Sequence, residues 1–187
     1  MSRGPMLNVV AACGLALTAC SGEHGPRVVE NGEASVAPPA ASALIGPAGN
    51  SLGSVAVSEG ANGVTLQIDA VGLPEGIHGV HLHAKGLCEG PKFESAGAHW
   101  NPAGKQHGRD NPLGFHLGDL ANLEVLASGG GSTNITVAGA TLAGANALSD
   151  ADGTSLVIHA KADDYKTDPS GASGDRVACA VLVAPRG

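Results

Sequence analysis

Aromatic side chains are almost missing from this chain: Phe93, Trp100, Phe115 and Tyr165 are all there are in 187 residues. A large aromatic-lined nucleotide pocket therefore has no material, and any core must be built from Val, Leu, Ile and Ala. Cations are scarce as well. Ten Lys plus Arg face 17 Asp plus Glu, for a net charge of -7, which argues against nucleic acid as a partner, because non-specific binding needs a cationic excess to displace counterions. What is abundant is glycine, at 29 residues, and histidine, at eight, of which six fall between positions 78 and 116. The length suits one domain. Imidazole is the feature to explain.

The N-terminus reads as an address. Residues 1–19 carry one Arg (Arg3), an apolar run from Met6 to Leu17, and small residues before Cys20. About a dozen apolar residues make a signal-peptide core and too short a stretch for a comfortable membrane span. Leu17-Thr18-Ala19-Cys20 resembles the bacterial lipobox, whose cysteine is lipidated and becomes the first mature residue. Cys13 ends a similar motif behind a shorter apolar run, and an unlipidated secretory signal is the alternative. The expected organisation is a lipoprotein-type signal at 1–19, a flexible tether at 20–49 rich in Pro, Ala, Gly and Ser, and a folded domain at 50–187. His24 stands alone in that tether. On this reading the protein is exported and anchored by lipid on Cys20 to a membrane of the cell envelope, on the periplasmic side or at the cell surface. Export leaves Cys88 and Cys179 in the folded part, and two cysteines in an oxidising compartment read as one disulfide. The alternative is a pair of thiols ligating copper.

Period-2 alternation marks half-buried strands around Val64–Ala70, Val80–Leu82, Leu123–Val125, Ile135–Val137 and Leu156–Ile158. Further strands are expected at 52–57, near Phe115 to Gly118, and at 177–183. No convincing helical stripe follows residue 50. The expected fold is all-β, an eight-stranded antiparallel Greek-key sandwich or flattened barrel. Two connections, 84–113 and 161–176, are too long to be simple turns, and long loops in a compact domain tend to be functional.

In Gly76-Ile77-His78-Gly79-Val80-His81-Leu82-His83, alternation places His81 and His83 on one face and Val80 and Leu82 on the other. His159 ends another strand, facing away from Leu156 and Ile158, and would complete a nitrogen-rich transition-metal site. His99, His107, His116 and Asp119 follow at spacings of 8, 9 and 3, three imidazoles and a carboxylate suited to tetrahedral zinc. Seven side chains for two metals suggest that one is shared.

These blocks resemble the bacterial copper,zinc superoxide dismutases. The similarity runs from about Leu52 to Leu182 and includes Ser95-Ala-Gly-Ala-His-Trp-Asn-Pro102, Lys105-Gln-His-Gly108, His116-Leu-Gly-Asp-Leu120, His159-Ala-Lys-Ala-Asp-Asp-Tyr165 and Gly174-Asp-Arg-Val-Ala-Cys179. The resemblance implies copper on His81, His83, His99 and His159, zinc on His99, His107, His116 and Asp119, and His99 as the bridge. It makes Asp163 a carboxylate that hydrogen-bonds one histidine of each set, Cys88–Cys179 the intrasubunit disulfide, and His78 a structural histidine outside both sets. Arg176 becomes the arginine beside the open copper position, and superoxide the substrate, turned into dioxygen and hydrogen peroxide. Lys161 and Lys166 lie on the same loop as Arg176, and whether they help steer the anion is open, as is monomer against homodimer. Ala172 and Ala180 depart from the family pattern without touching a ligand, and Trp100 is expected to be a packing residue. A copper-carrying module without turnover is the competing class. It would have no need of the bridge, the zinc set or Arg176.

Overall fold

A computed structural model of the chain describes residues 40–186 together with Met1. The expected signal peptide, Cys20 and the tether up to residue 39 lie outside the described residues. Among those described, nine strands form: β1 (Ala41–Ile45), β2 (Ser51–Gly60), β3 (Gly63–Ala70), β4 (Gly76–His78), β5 (Val80–His83), β6 (Leu123–Val125), β7 (Gly131–Ala138), β8 (Thr154–His159) and β9 (Arg176–Val183). Seven of the nine match strands expected from the sequence, five of them marked by alternation. In β3 the reading transfers directly, because Val64, Leu66, Ile68 and Ala70 are buried while the residues between them are not.

Three expectations need correction. The tether does not run to Gly49, because Ala41–Ile45 is a strand paired with β2 through Ala41↔Ala56 and with β9 through Ile45↔Cys179. Its Ala- and Ser-rich sequence carries little apolar signal, and two neighbouring strands supply the order instead. Gly76–His78 adds a short strand paired with β6. The strand expected near Phe115 to Gly118 is absent. Asp119 N–H turns back to the His116 carbonyl at 3.0 Å, and the segment joins β5 only through single bonds such as Leu82 N–H to Gly118 O at 2.9 Å. A continuous strand would send His116 and Asp119 to opposite faces, and the turn brings them together. Gly118 makes that approach possible, since a Cβ there would sit 2.6 Å from the Leu82 carbonyl oxygen.

The main antiparallel sheet has the order β5-β8-β9-β1-β2-β3-β7 and curls into a half-barrel, with β4 and β6 forming a separate pair. Leu44, Val55, Leu66, Ile68, Leu82, Leu123, Leu156 and Ile158 fill the interior. Each such side chain, fully buried, contributes on the order of 1.5–3 kcal/mol. β5 and β8 differ from the others in being buried on both faces. One face meets the core. The other is roofed by the long loops, where Val157 packs with Phe93, Ala96 and Cys179. The Cys88–Cys179 disulfide is formed, with Cα atoms 5.7 Å apart. It ties the first long loop to β9 and removes the alternative of free thiols as copper ligands.

Candidate metal centre

Strand pairing brings the first four imidazoles together. β5 and β8 pair with His81 opposite Val157 and His83 opposite Ser155, which leaves His81, His83 and His159 on the roofed face. The loop after β5 then doubles back, forming isolated bridges from His83 to His99 and from His81 to Asp119. Donor atoms of His81, His83, His99 and His159 all lie within 4.8 Å of one another. Trp100, as expected, is buried in the core beside them.

Three ring nitrogens in this group, Nδ1 of His81 and Nε2 of His83 and His159, are buried without any hydrogen-bond partner. An orphaned buried polar atom costs about 1–3 kcal/mol, so three converging orphans mark the place of a bound cation. The opposite nitrogen of each ring is fixed: His81 Nε2 by Asp163 Oδ2 at 2.8 Å, His83 Nδ1 by the Gly97 carbonyl at 2.9 Å, and His159 Nδ1 by the Gly174 carbonyl at 3.1 Å. Such partners set the tautomer and aim of a ligating ring. Burial lowers the pKa of His81, and burial, with His99 and the Arg176 guanidinium adding, holds His83 well below the usual imidazole range. Burial, with His81 adding, takes His99 to about 4 and His159 to about 3. These rings are neutral at pH 7, the form that binds metal.

The second set converges on one oxygen. Oδ1 of Asp119 lies 2.9 Å from Nδ1 of His99, 2.9 Å from Nδ1 of His107 and 3.1 Å from Nδ1 of His116. The His99 and His116 Nδ1 atoms face each other at 3.4 Å. Four donors arranged tetrahedrally at zinc's usual ligand distance would be about 3.3 Å apart, so the residues fit that ion. The other carboxylate oxygen is held by the N–H groups of Gly108 and His116, both at 3.0 Å. A mutually close set of four is His81, His99, His107 and Asp119, with His116 joining through Asp119 and His99. Only His99 of the expected zinc ligands also belongs to the group of His81, His83 and His159. Its ring centroid is 4.0 Å from that of His81.

Asp163 joins the two groups, accepting from His81 on one oxygen and from His107 Nε2 at 3.0 Å on the other. Burial opposes its ionisation, yet hydrogen bonds from His107, His81 and the Tyr165 N–H hold it below the usual carboxylate range. Asp119 behaves alike, with His107 and His99 as partners. His107, between the two carboxylates, is raised to about 9 against the effect of burial. Gly171, at φ +67°, packs where a Cβ would collide with the Asp163 carboxylate. His78 stays outside both sets, bonded to the His159 and Pro74 carbonyls. Arg176 donates to the Phe93 and Gly97 carbonyls, each at 2.7 Å. With His99, His159, Pro169, Ser170 and Gly174 it lines a cavity of about 370 Å³. Lys161 and Lys166 are exposed on the same loop. The supporting carbonyls of Gly97 and Gly174 have no signature in the sequence. Nor did it point to Asn122, whose side-chain amide grips both backbone polar groups of Asp163 at 2.9 and 3.0 Å.

Known proteins place these features in one lineage. Residues 51–182 match the model of the family described as copper/zinc superoxide dismutase (SODC). The chain is similar to a Cu-Zn superoxide dismutase of Caulobacter vibrioides, 44% identical over 138 residues, which is 72% of this chain and 79% of that protein. It is also similar to Cu-Zn superoxide dismutase 2 of Aquifex aeolicus, 39% identical over 142 residues, covering 74% and 83%. The crystal structure of a SOD-like protein from Bacillus subtilis superimposes with a TM-score of 0.74 at 38% identity, covering 78% of this chain and 100% of that one. With the matched stretch holding both ligand sets, the disulfide and Arg176, the chain belongs to the copper/zinc superoxide dismutase family.

Proposed function

We propose that His99 is shared between a copper ion, held with His81, His83 and His159, and a zinc ion, held with His107, His116 and Asp119. The centre so formed dismutates superoxide to dioxygen and hydrogen peroxide. The observation that carries this reading is the convergence of three orphaned ring nitrogens beside three Nδ1 atoms gathered on Asp119 Oδ1, with His99 in both groups. Bound copper supplies the one-electron redox change, which zinc lacks, while zinc adds charge and geometry.

The chain's own residues do the rest. Arg176, held by two carbonyls at the cavity wall, attracts and orients the anion. With its Nδ1 on the Asp119 side, His99 would hold a proton on the other ring nitrogen whenever that nitrogen is free of metal, and would pass it to the departing peroxide. Asp163 fixes one ring of each set, so that both stay aimed without rearrangement during turnover. The overall balance is two superoxides and two protons to one dioxygen and one hydrogen peroxide.

Arg176→Ala tests the substrate role. It lowers the second-order rate and weakens its dependence on ionic strength, while copper content by atomic absorption stays the same; unchanged kinetics would remove Arg176 from the mechanism. The further reading is that the enzyme works outside the cytoplasm, tethered by lipid on Cys20, and protects the envelope from extracytoplasmic superoxide. Fatty-acid labelling of cells expressing the full chain and Cys20→Ala tests it. Label and membrane retention lost in the variant support the anchor, and their persistence would refute it.

A further inference from the structure

Arg176 stands between two cavities. On the metal side it lines the one of about 370 Å³ with His99 and His159. On the outer side it lines a second, of about 610 Å³, with Pro47, Pro91, Lys92, Glu94 and Asp175. The two differ in charge. Among the described residues Arg176 is the one full charge on the inner wall, whereas the outer wall sets Glu94 and Asp175 against Lys92 and Arg176. Lys92, Glu94 and Asp175 are exposed. None of the ion pairs among the described residues includes Arg176, so the guanidinium keeps its charge for a ligand. Burial lowers the Arg176 pKa and Glu94 opposes that shift, so the carboxylate is felt at the guanidinium.

The inner cavity does not select by size. At about 30 Å³ per water its 370 Å³ has room for roughly a dozen molecules, enough for a tetrahedral oxyanion such as phosphate, which a guanidinium binds well. An arginine that serves a small monoanion therefore needs a device against competitors of higher charge, and specificity of that kind comes from repulsion as much as from attraction. We propose that Glu94 and Asp175 are specificity-determining residues, anionic guards on the outer wall that keep dianionic oxyanions off Arg176 while superoxide still reaches it. Coulomb repulsion scales with the charge of the ligand. Each carboxylate thus weakens the binding of a dianion by the square of the factor it imposes on a monoanion. Lys92 offsets part of the repulsion, so removing either carboxylate leaves the wall net positive. The proposal rests on the reading of Arg176 as the substrate arginine.

The test uses the full chain loaded with copper and zinc near pH 8, where phosphate is mainly a dianion, with formate as the monoanion. Phosphate binding is read by phosphorus nuclear magnetic resonance, and both anions are read as inhibitors of superoxide decay. Glu94→Gln is a near-isosteric change at an exposed position. At low salt it is expected to raise the superoxide rate and the formate affinity by about two- to threefold and the phosphate affinity by about four- to ninefold, the gap closing as salt screens the field. Asp175→Asn is expected to act in the same sense. Phosphate and formate affinities that move by one common factor, or that do not move, overturn the guard role. Phosphate binding that survives Arg176→Ala undiminished overturns instead the assignment of Arg176 as the substrate arginine beneath it.

Discussion

At the scale of single residues, the two ligand sets differ in what their protons do. His99 at about 4 and His159 at about 3 lie below the 6.5 of an unconstrained imidazole, so between those values the unfolded chain binds protons that the folded chain refuses. Metal-free protein is therefore expected to lose resistance to urea as pH falls from about 6.5 towards 4. His107 has the opposite sign. Raised to about 9, its contribution is complete below 6.5 and is lost as pH climbs through 9. Zinc must displace that proton, so competition titrations should show zinc affinity rising about tenfold per pH unit from 7 to 9, while copper affinity stays nearly flat. Equal slopes for the two metals would contradict the assignment. Asp163→Ala, which frees His81 and His107 together, should weaken zinc binding by about 10- to 100-fold in the same assay. Every proposed ligand was legible from its side chain, because His and Asp at these spacings name their chemistry. The carbonyls of Gly97 and Gly174 were not, since a main-chain acceptor has no identity in a sequence and is revealed only by where the backbone turns.

At the scale of elements, the site depends on strands and loops that hold each other. β5 and β8 supply His81, His83 and His159 from a face that would be open to water without the loops. The disulfide pins the first of those loops to β9 across 91 residues. Replacing Cys88 and Cys179 with serine is expected to cost the metal-free protein about 4–5 kcal/mol by the chain-entropy account, read as a lower urea midpoint. Gly118→Ala should act locally. Its Cβ meets the Leu82 and Trp100 backbone, so the turn carrying His116 and Asp119 shifts, and zinc retention falls more than copper retention. The central strands were readable because one of their faces is apolar and the other is not. β1 was not, because Ala-Ser-Ala-Leu-Ile has weak alternation and owes its order to β2 and β9. The segment near Phe115 misled for the converse reason: its local pattern suits a strand, but bringing His116 and Asp119 to one point requires a turn.

At the scale of the whole molecule, an acidic chain takes an anion as substrate. Net charge acts over distances that salt screens within about 8–10 Å, whereas Arg176 stands on the wall of the cavity that also holds His99 and His159. The local field therefore governs the last approach, and the rate should fall with added salt despite the charge of -7. A rate that rises with salt would show the global charge to dominate. The most direct test of the whole account is the decay of superoxide with the full chain, compared metal-free and loaded with copper plus zinc, under a chelator that silences free copper. The account predicts fast decay that appears only with protein-bound copper. Tight copper binding without acceleration would contradict it and leave the chain a metal carrier built on a dismutase fold.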